Sequence, residues 1–183
     1  MILVTDILAR LQTAASTDTS FLAAVATLFG ADATLTLQVG ADPMHEVSAQ
    51  DCPLVAFLDD GKAETGQQSP TWRFPIEIQL YVCDGEVTAA ESAPAGTRLL
   101  TSSGQVDLDA FAGAMRTLVQ TQADAMNLAV ESLAIELDPA NATFWPRQRA
   151  YVSVVLTVDN IPGTDPELPA LPTPDPDPEP EAP

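Results

Sequence analysis

The stretch WRFPIEIQLYVC, residues 72–83, alternates without a break. Trp72, Phe74, Ile76, Ile78, Leu80 and Val82 fall on one side, and Arg73, Pro75, Glu77, Gln79, Tyr81 and Cys83 on the other. A period of two is that of a strand with one face against a core and one face polar. Twelve residues at about 3.3 Å each predict a strand of roughly 40 Å, about twice the usual length. Pro75 marks a point in it where a ladder donor is missing. A strand of this kind makes the molecule a sheet protein, and the rest of the chain has to cover its apolar side.

Immediately upstream, PLVAFL at 53–58 is unbroken apolar sequence ending at Asp59, Asp60 and Gly61. That pattern predicts a central strand covered on both faces. Between the two strands DDGKAETGQQSPT, residues 59–71, is a polar loop, read either as a projecting arm or as a hairpin tip. Further back, Leu35, Leu37 and Val39 alternate with Thr34, Thr36 and Gln38, predicting a half-buried strand. Before it, Ile2, Leu3, Ile7, Leu8 and Leu11 recur at helical spacing, with Asp6 in the first turn, for a first helix of about ten residues. A second short helix follows the Ser16–Ser20 cap cluster through Phe21, Leu22, Val25, Leu28 and Phe29 and stops at Gly30.

Downstream, Gly85–Gly104 reads as an exposed loop of about twenty residues. Asp107 is then expected to cap the longest helix, with Leu108, Phe111, Met115, Leu118, Val119 and Met126 as its apolar stripe. Leu133, Ile135 and Leu137 alternate in a strand closing at Asp138 and Pro139. A last strand from about Trp145 to Asp159 carries Ala150, Val152, Val154, Leu156 and Val158 on one face and Arg147, Arg149, Tyr151, Ser153 and Thr157 on the other. The last two, joined by PANAT, read as an antiparallel hairpin. The expected fold is α+β: a mostly antiparallel, mixed sheet of about five strands, one long helix on one face burying the apolar sets, and short N-terminal helices. Residues 1–161 form one domain. Residues 162–183, PGTDPELPALPTPDPDPEPEAP, hold nine prolines and six acids and read as a stiff, solvated extension, either a solubilising tail or an arm that docks a neighbour.

The chain has 26 acidic and 7 basic residues, a formal charge of −19, and Lys62 is its only lysine. Such a balance excludes an ordinary nucleic-acid binder, which needs a basic stripe to displace counterions. The first twenty residues contain Asp6 and Arg10 and no basic start or long apolar run, so neither a signal peptide nor a membrane span is expected, and the protein reads as soluble and made inside a cell.

Catalytic machinery is not visible. The one histidine, His45, stands beside acids in ADPMHEVSAQDC; with Cys52 and Asp51 or Glu46 it forms at most a nucleophile–base trio without a recognised signature. Zinc-like spacing is absent, the glycines fit turns rather than a phosphate loop, and carboxylate pairs such as Asp59 with Asp60 or Asp107 with Asp109 arise readily among 26 acids. Cys52 and Cys83 fall at the ends of adjacent strands and are expected to be reduced thiols. No enzyme activity, metal or cofactor is expected. What recurs is contact surface. Asp59, Asp60, Lys62 and Glu64 lie in the polar loop, while Arg73, Glu77, Arg147, Arg149 and Tyr151 share the polar side of the long strands. Arginines grouped on one face of an acidic body either pair with carboxylates of a neighbouring copy or neutralise charge within the chain.

ILARLQ at 7–12, CPLVAFLDDG at 52–61, FPIEIQLYVCD at 74–84, DLDAFAGAMRTLVQTQADAM at 107–126 and AYVSVVLTVDN at 150–160 follow one another in an order that resembles the tail terminator, or tail completion, proteins of long-tailed bacteriophages. The resemblance spans most of residues 1–161. The FLAAVATLF helix and the proline–acid tail depart from that pattern. The resemblance implies a structural virion protein: six copies closing a ring at the head-proximal end of the tail tube, stopping its polymerisation and meeting the neck proteins, with DNA passing through the lumen unbound. A ring uses heterologous contacts, acidic patch against arginine face, and an acidic lumen does not retain phosphate. The other readings are a neck connector, a tail-tube or baseplate subunit, a non-viral binding module that docks a basic partner, and an unrecognised hydrolase.

Overall fold

The computed structural model describes residues 2–40, 47–60, 71–89, 100–138, 141, 146–159 and 167–170. It is an α+β fold. Helix α1, Val4–Thr17, is followed directly by α2, Thr19–Phe29. Asp6 accepts the Leu3 N–H at 3.2 Å, and Asp18 caps α2 by accepting the Phe21 N–H at 2.8 Å. Each carboxylate satisfies a donor that the helix itself leaves free. Gly30 ends α2 at φ +95°, a backbone conformation that favours glycine. α1 is longer than the expected ten residues because Ala14 and Ala15 continue its buried stripe.

Strands β1, Thr36–Val39, β2, Leu54–Asp59, and β3, Thr71–Cys83, come next, and after the long helix β6, Ala129–Leu137, and β7, Arg147–Asp159. They form one sheet in the order β1-β2-β3-β7-β6, parallel between β1 and β2 and antiparallel elsewhere. β3 pairs with β7 along its whole length, from Thr71 opposite Asp159 to Cys83 opposite Arg147. On its other side the β2 ladder ends at Asp59 opposite Ile76. The Pro75 carbonyl, which accepts the Asp60 N–H at 3.4 Å, therefore faces the last rung, where a missing N–H breaks no interior ladder.

The long helix α3, Ser103–Ala125, packs over β3, β7 and β6, and α1 covers β1 and β2 on the same side, with α2 against both helices. Phe111 of α3 stacks on Phe21 at 6.0 Å between centroids and meets Phe29 edge-on at 5.3 Å. Under them lie the alternating side chains Phe74, Ile76, Ile78, Leu80 and Val82 with Ala150, Val152, Val154 and Leu156, all buried. β2 is buried on both faces, as its unbroken apolar run requires. Val55 and Phe57 join the main core, while Leu54, Ala56 and Leu58 form a second cluster with Val47 and Tyr81 on the opposite face.

Four expectations are corrected. Asp107 is not the cap of α3: Ser102 is, accepting the Gln105 N–H at 3.4 Å, and the helix begins five residues earlier because a glycine in its first turn, Gly104, obscures the start. The expected loop 85–104 contains a two-stranded ribbon, β4, Val87–Ala89, antiparallel to β5, Leu100–Ser102. The apolar side of β6 is not wholly covered: Ile135 and Leu137 are 37% and 40% exposed, because β6 is the edge strand of the sheet. Finally, residues 167–170 of the expected solvated tail lie on the body. Leu168 packs against the main core and the Pro169 carbonyl accepts a hydrogen bond from the Arg10 guanidinium. A single leucine among prolines suffices there, because a stiff segment loses little entropy on docking. The rest of 162–183, and the loop residues 61–70, lie outside the described residues.

Candidate functional site

With all three helices on one side, the other side of the sheet is built from the odd-numbered residues of β3 and β7. Arg73, Glu77, Arg147, Arg149 and Tyr151 are all on it, as the alternation predicted. They do not form one group. Arg73 stands opposite Thr157 and Arg149 opposite Tyr81, eight residues apart along β7, which is about 26 Å of strand. The face thus has two ends with different chemistry.

At one end Arg73 is paired within the chain. Its Nε donates to Glu131 Oε2 at 2.7 Å and Nη2 to Oε1 at 2.5 Å, a bidentate geometry with both side chains nearly half exposed. Glu131 reaches it because the β6 ladder slips one residue between Val130 and Ser132. Asp59 and Asp60 are exposed at this end of β2, Asp59 in phase with Val55 and Phe57 on the helix side of the sheet and Asp60 just past the last residue of the strand. Lys62 and Glu64 lie outside the described residues.

At the other end Arg149 organises a compact cluster. Its guanidinium lies 4.9 Å from the centroid of Tyr151 and 5.7 Å from that of Tyr81, and it forms an ion pair with Asp138, which is only 7% exposed. Tyr151 Oη donates to the same Asp138 oxygen at 3.1 Å. Asn141 closes the strand end, accepting the Arg149 N–H at 2.7 Å and donating to the Arg149 carbonyl at 2.9 Å. A chain of bonds continues along β3: Arg149 Nη1 donates to Tyr81 Oη at 3.4 Å, Tyr81 Oη to Gln79 Oε1 at 2.5 Å, and Gln79 Nε2 to Glu77 Oε1 at 2.7 Å. Burial opposes the Arg149 cation, but the Tyr81 and Asp138 bonds outweigh it and hold its pKa above the ordinary guanidinium value. Burial, with the Asp138 carboxylate, pushes Tyr151 up to about 12 against the pull of Arg149. Both side chains keep their protonation states near neutral pH, so neither exchanges a proton there.

Next to it Arg147 Nη1 donates to the Val47 carbonyl at 2.7 Å and borders an open cleft of about 340 Å³ with Val47, Ser48, Ala49, Cys83 and Pro146. Cys52 and Cys83 are both free thiols. Burial, then the Cys83 and Asp51 charges, push Cys52 up to about 11, far from the depressed value of a thiolate nucleophile. His45 and Glu46 lie outside the described residues. Among the described residues no group of three or more His, Cys, Asp or Glu side chains is placed to hold a metal ion, and no helix is long and apolar enough to cross a membrane.

The sequence placed the arginines on one face. It does not reveal their partners: Glu131 sits in a strand irregularity, Asp138 stands where a strand ends, and Asn141 lies in a turn. Of the two accounts of the arginine face, charge neutralisation within the chain holds for Arg73 and Arg149. No protein-family model matches the sequence, and no curated protein does.

Proposed function

We propose that the protein is a structural ring subunit of a bacteriophage tail, a tail terminator whose copies, six in the ring, close the head-proximal end of the tail tube and meet the neck. The observation that carries this reading is the one-sided build. Three helices cover one face of a mixed five-stranded sheet, and the other face presents a polar surface in which Arg149 lies against two tyrosines, a residue set typical of contact surfaces. The order of elements supports it: helix, apolar strand with an acidic turn, long alternating strand, long helix and closing strand pair follow one another as in the family resembled. The two ends of the face differ in chemistry, a bidentate Arg73–Glu131 pair at one and the Arg149, Asp138 and tyrosine cluster beside Arg147 at the other, and such a polarity suits head-to-tail contacts, which close into a ring. A net charge of −19 suits a lumen that DNA traverses without adhering.

The test is negative-stain imaging of the purified chain together with its light-scattering mass. The expected result is an annulus of six copies with a hole wide enough for duplex DNA. A protein that gives no annulus, alone or with tail tubes, refutes the reading.

A further inference from the structure

A sheet has two edges, and here they are treated differently. In β1 the N–H of Thr36 goes to the Pro53 carbonyl and that of Gly40 to the Phe57 carbonyl, so the odd-numbered residues turn outward. β1 is only four residues long, and the outward carbonyl of Leu37 accepts a hydrogen bond from Gln12 of α1 at 3.3 Å. That edge is short and capped. The β6 edge is nine residues long. Its phase is set by the Asp138 N–H, which bonds inward to the Arg149 carbonyl at 3.0 Å. N–H and C=O directions alternate along a strand, so Leu133, Ile135 and Leu137 direct theirs outward. No described side chain caps these outward groups. The same three residues carry apolar side chains on the helix side of the sheet, where α3 leaves Ile135 and Leu137 more than a third exposed.

We propose that the β6 edge is an interface between two copies of this chain, which pair antiparallel about a two-fold axis at Ile135 and join their sheets into one of ten strands. The sequence AVESLAIEL selects both the partner and the register. With Ile135 opposite its own copy, Leu133 meets Leu137 and Leu137 meets Leu133, all three in positions whose backbone groups face across the new rung. On the other side of the sheet Glu136 falls opposite Ala134, so no acid opposes an acid, the decisive matter for a chain of charge −19. A shift by one rung toward the strand end sets Glu136 against Glu136. A shift the other way leaves Leu137 opposite the irregular Glu131 segment, whose carboxylate is already held by Arg73. The exposed apolar corners at Ile135 and Leu137 of the two copies then cover each other.

The interface is tested in two ways on the full chain. Ile135→Pro removes an outward N–H that the subunit's own ladder does not use, so the light-scattering mass is expected to halve, from two copies to one or, where six-copy rings form, from two joined rings to one; Ile135→Lys, at an exposed position, serves the same purpose should the proline disturb the strand. For the register, Ala134→Cys and Glu136→Cys chains are oxidised separately and mixed, with wild type as the control for Cys52 and Cys83. Only the mixture is expected to give a disulfide-linked pair, because residue 134 of one copy faces residue 136 of the other. An unchanged mass in both Ile135 variants, a cross-link in either cysteine variant alone, or none in the mixture overturns the pairing. The pairing does not rest on the ring: a ring that keeps its mass in both Ile135 variants refutes the interface and leaves the ring standing, and a pair without an annulus does the reverse.

Discussion

Two glycines of α3 should respond to the same substitution with opposite sign. A Cβ built on Gly104 would lie 2.7 Å from Gln148 Nε2, 2.8 Å from the Asp84 carbonyl oxygen and 3.2 Å from Asp84 Cβ, whereas one built on Gly113 meets nothing within 4 Å. In open space Gly→Ala in a helix gains up to about 1 kcal/mol, because alanine loses less backbone entropy on folding. At Gly104 that gain is opposed by overpacking, which costs about 1–3 kcal/mol. The Asp84 oxygen is backbone and cannot swing aside, and displacing Gln148 sacrifices its bonds to Ser102 Oγ at 3.2 Å and to the Asp84 carbonyl at 3.5 Å, about 1 kcal/mol more. Gly104→Ala is therefore expected to destabilise the domain by about 1–3 kcal/mol, and Gly113→Ala to stabilise it by about 0.5–1. In urea, with a slope of about 2 kcal/mol/M for a domain of this size, the two midpoints should separate by roughly 1–2 M at equal slope. Trp72 fluorescence follows the transition, since this half-buried indole sits on the core side of β3. A Gly104→Ala midpoint at or above wild type would refute the close approach of α3 to the end of β3.

The thiol of Cys52, pushed from 9.0 to about 11, should hold about 100-fold less thiolate at pH 8 than an ordinary cysteine, so alkylation of the native chain, read peptide by peptide in a mass spectrometer, should be slow at Cys52 by that factor and should recover its ordinary rate on unfolding. Asp107 is shifted upward by burial and then by the Asp84 charge. A carboxyl raised in the folded state contributes stability that is present below its unfolded pKa and lost as the pH rises through the folded one. Asp107→Asn should thus raise the urea midpoint at pH 7, with the gain shrinking to nothing toward pH 3; a gain independent of pH would show that charge is not its cause.

The elements that the sequence made legible are those in which one physical demand acts along the whole segment. β3 and β7 alternate because every second side chain enters the same core, and β2 is uniformly apolar because Val55 and Phe57 face one cluster while Leu54, Ala56 and Leu58 face another. Asp18 and Gly30 bracket α2 because a helix end has its own chemistry. What stayed hidden depends on placement in space. β4 and β5 are three residues each, too short to show a period, and the true start of α3 lies under a glycine that is tolerated only because Asp84 and Gln148 crowd it. The parallel pairing of β1 with β2 leaves no mark in either segment. Leu168 has the composition of a solvated tail around it, and only the surface near Arg10 gives it a place to dock.

The candidate face was half legible for the same reason. A period of two assigns Arg73, Arg147, Arg149 and Tyr151 to one side of the sheet but says nothing about distance along it, and that distance separates Arg73 from Arg149 by eight rungs. Pairing with a neighbour and neutralisation within the chain stay equally open in the sequence because each arginine's carboxylate is distant in it, 58 residues for Glu131 and 11 for Asp138. Those pairs, formed inside the chain, leave Arg73 and Arg149 little charge to offer a second copy under the proposed assembly. Exposed pairs are worth about 0–1 kcal/mol each, too little to hold an assembly. The pairing of copies proposed above draws instead on surface that combines unsatisfied backbone with exposed apolar side chains. Among the described residues the β6 edge at Leu133, Ile135 and Leu137 does so over nine residues, while the β1 edge is short and capped.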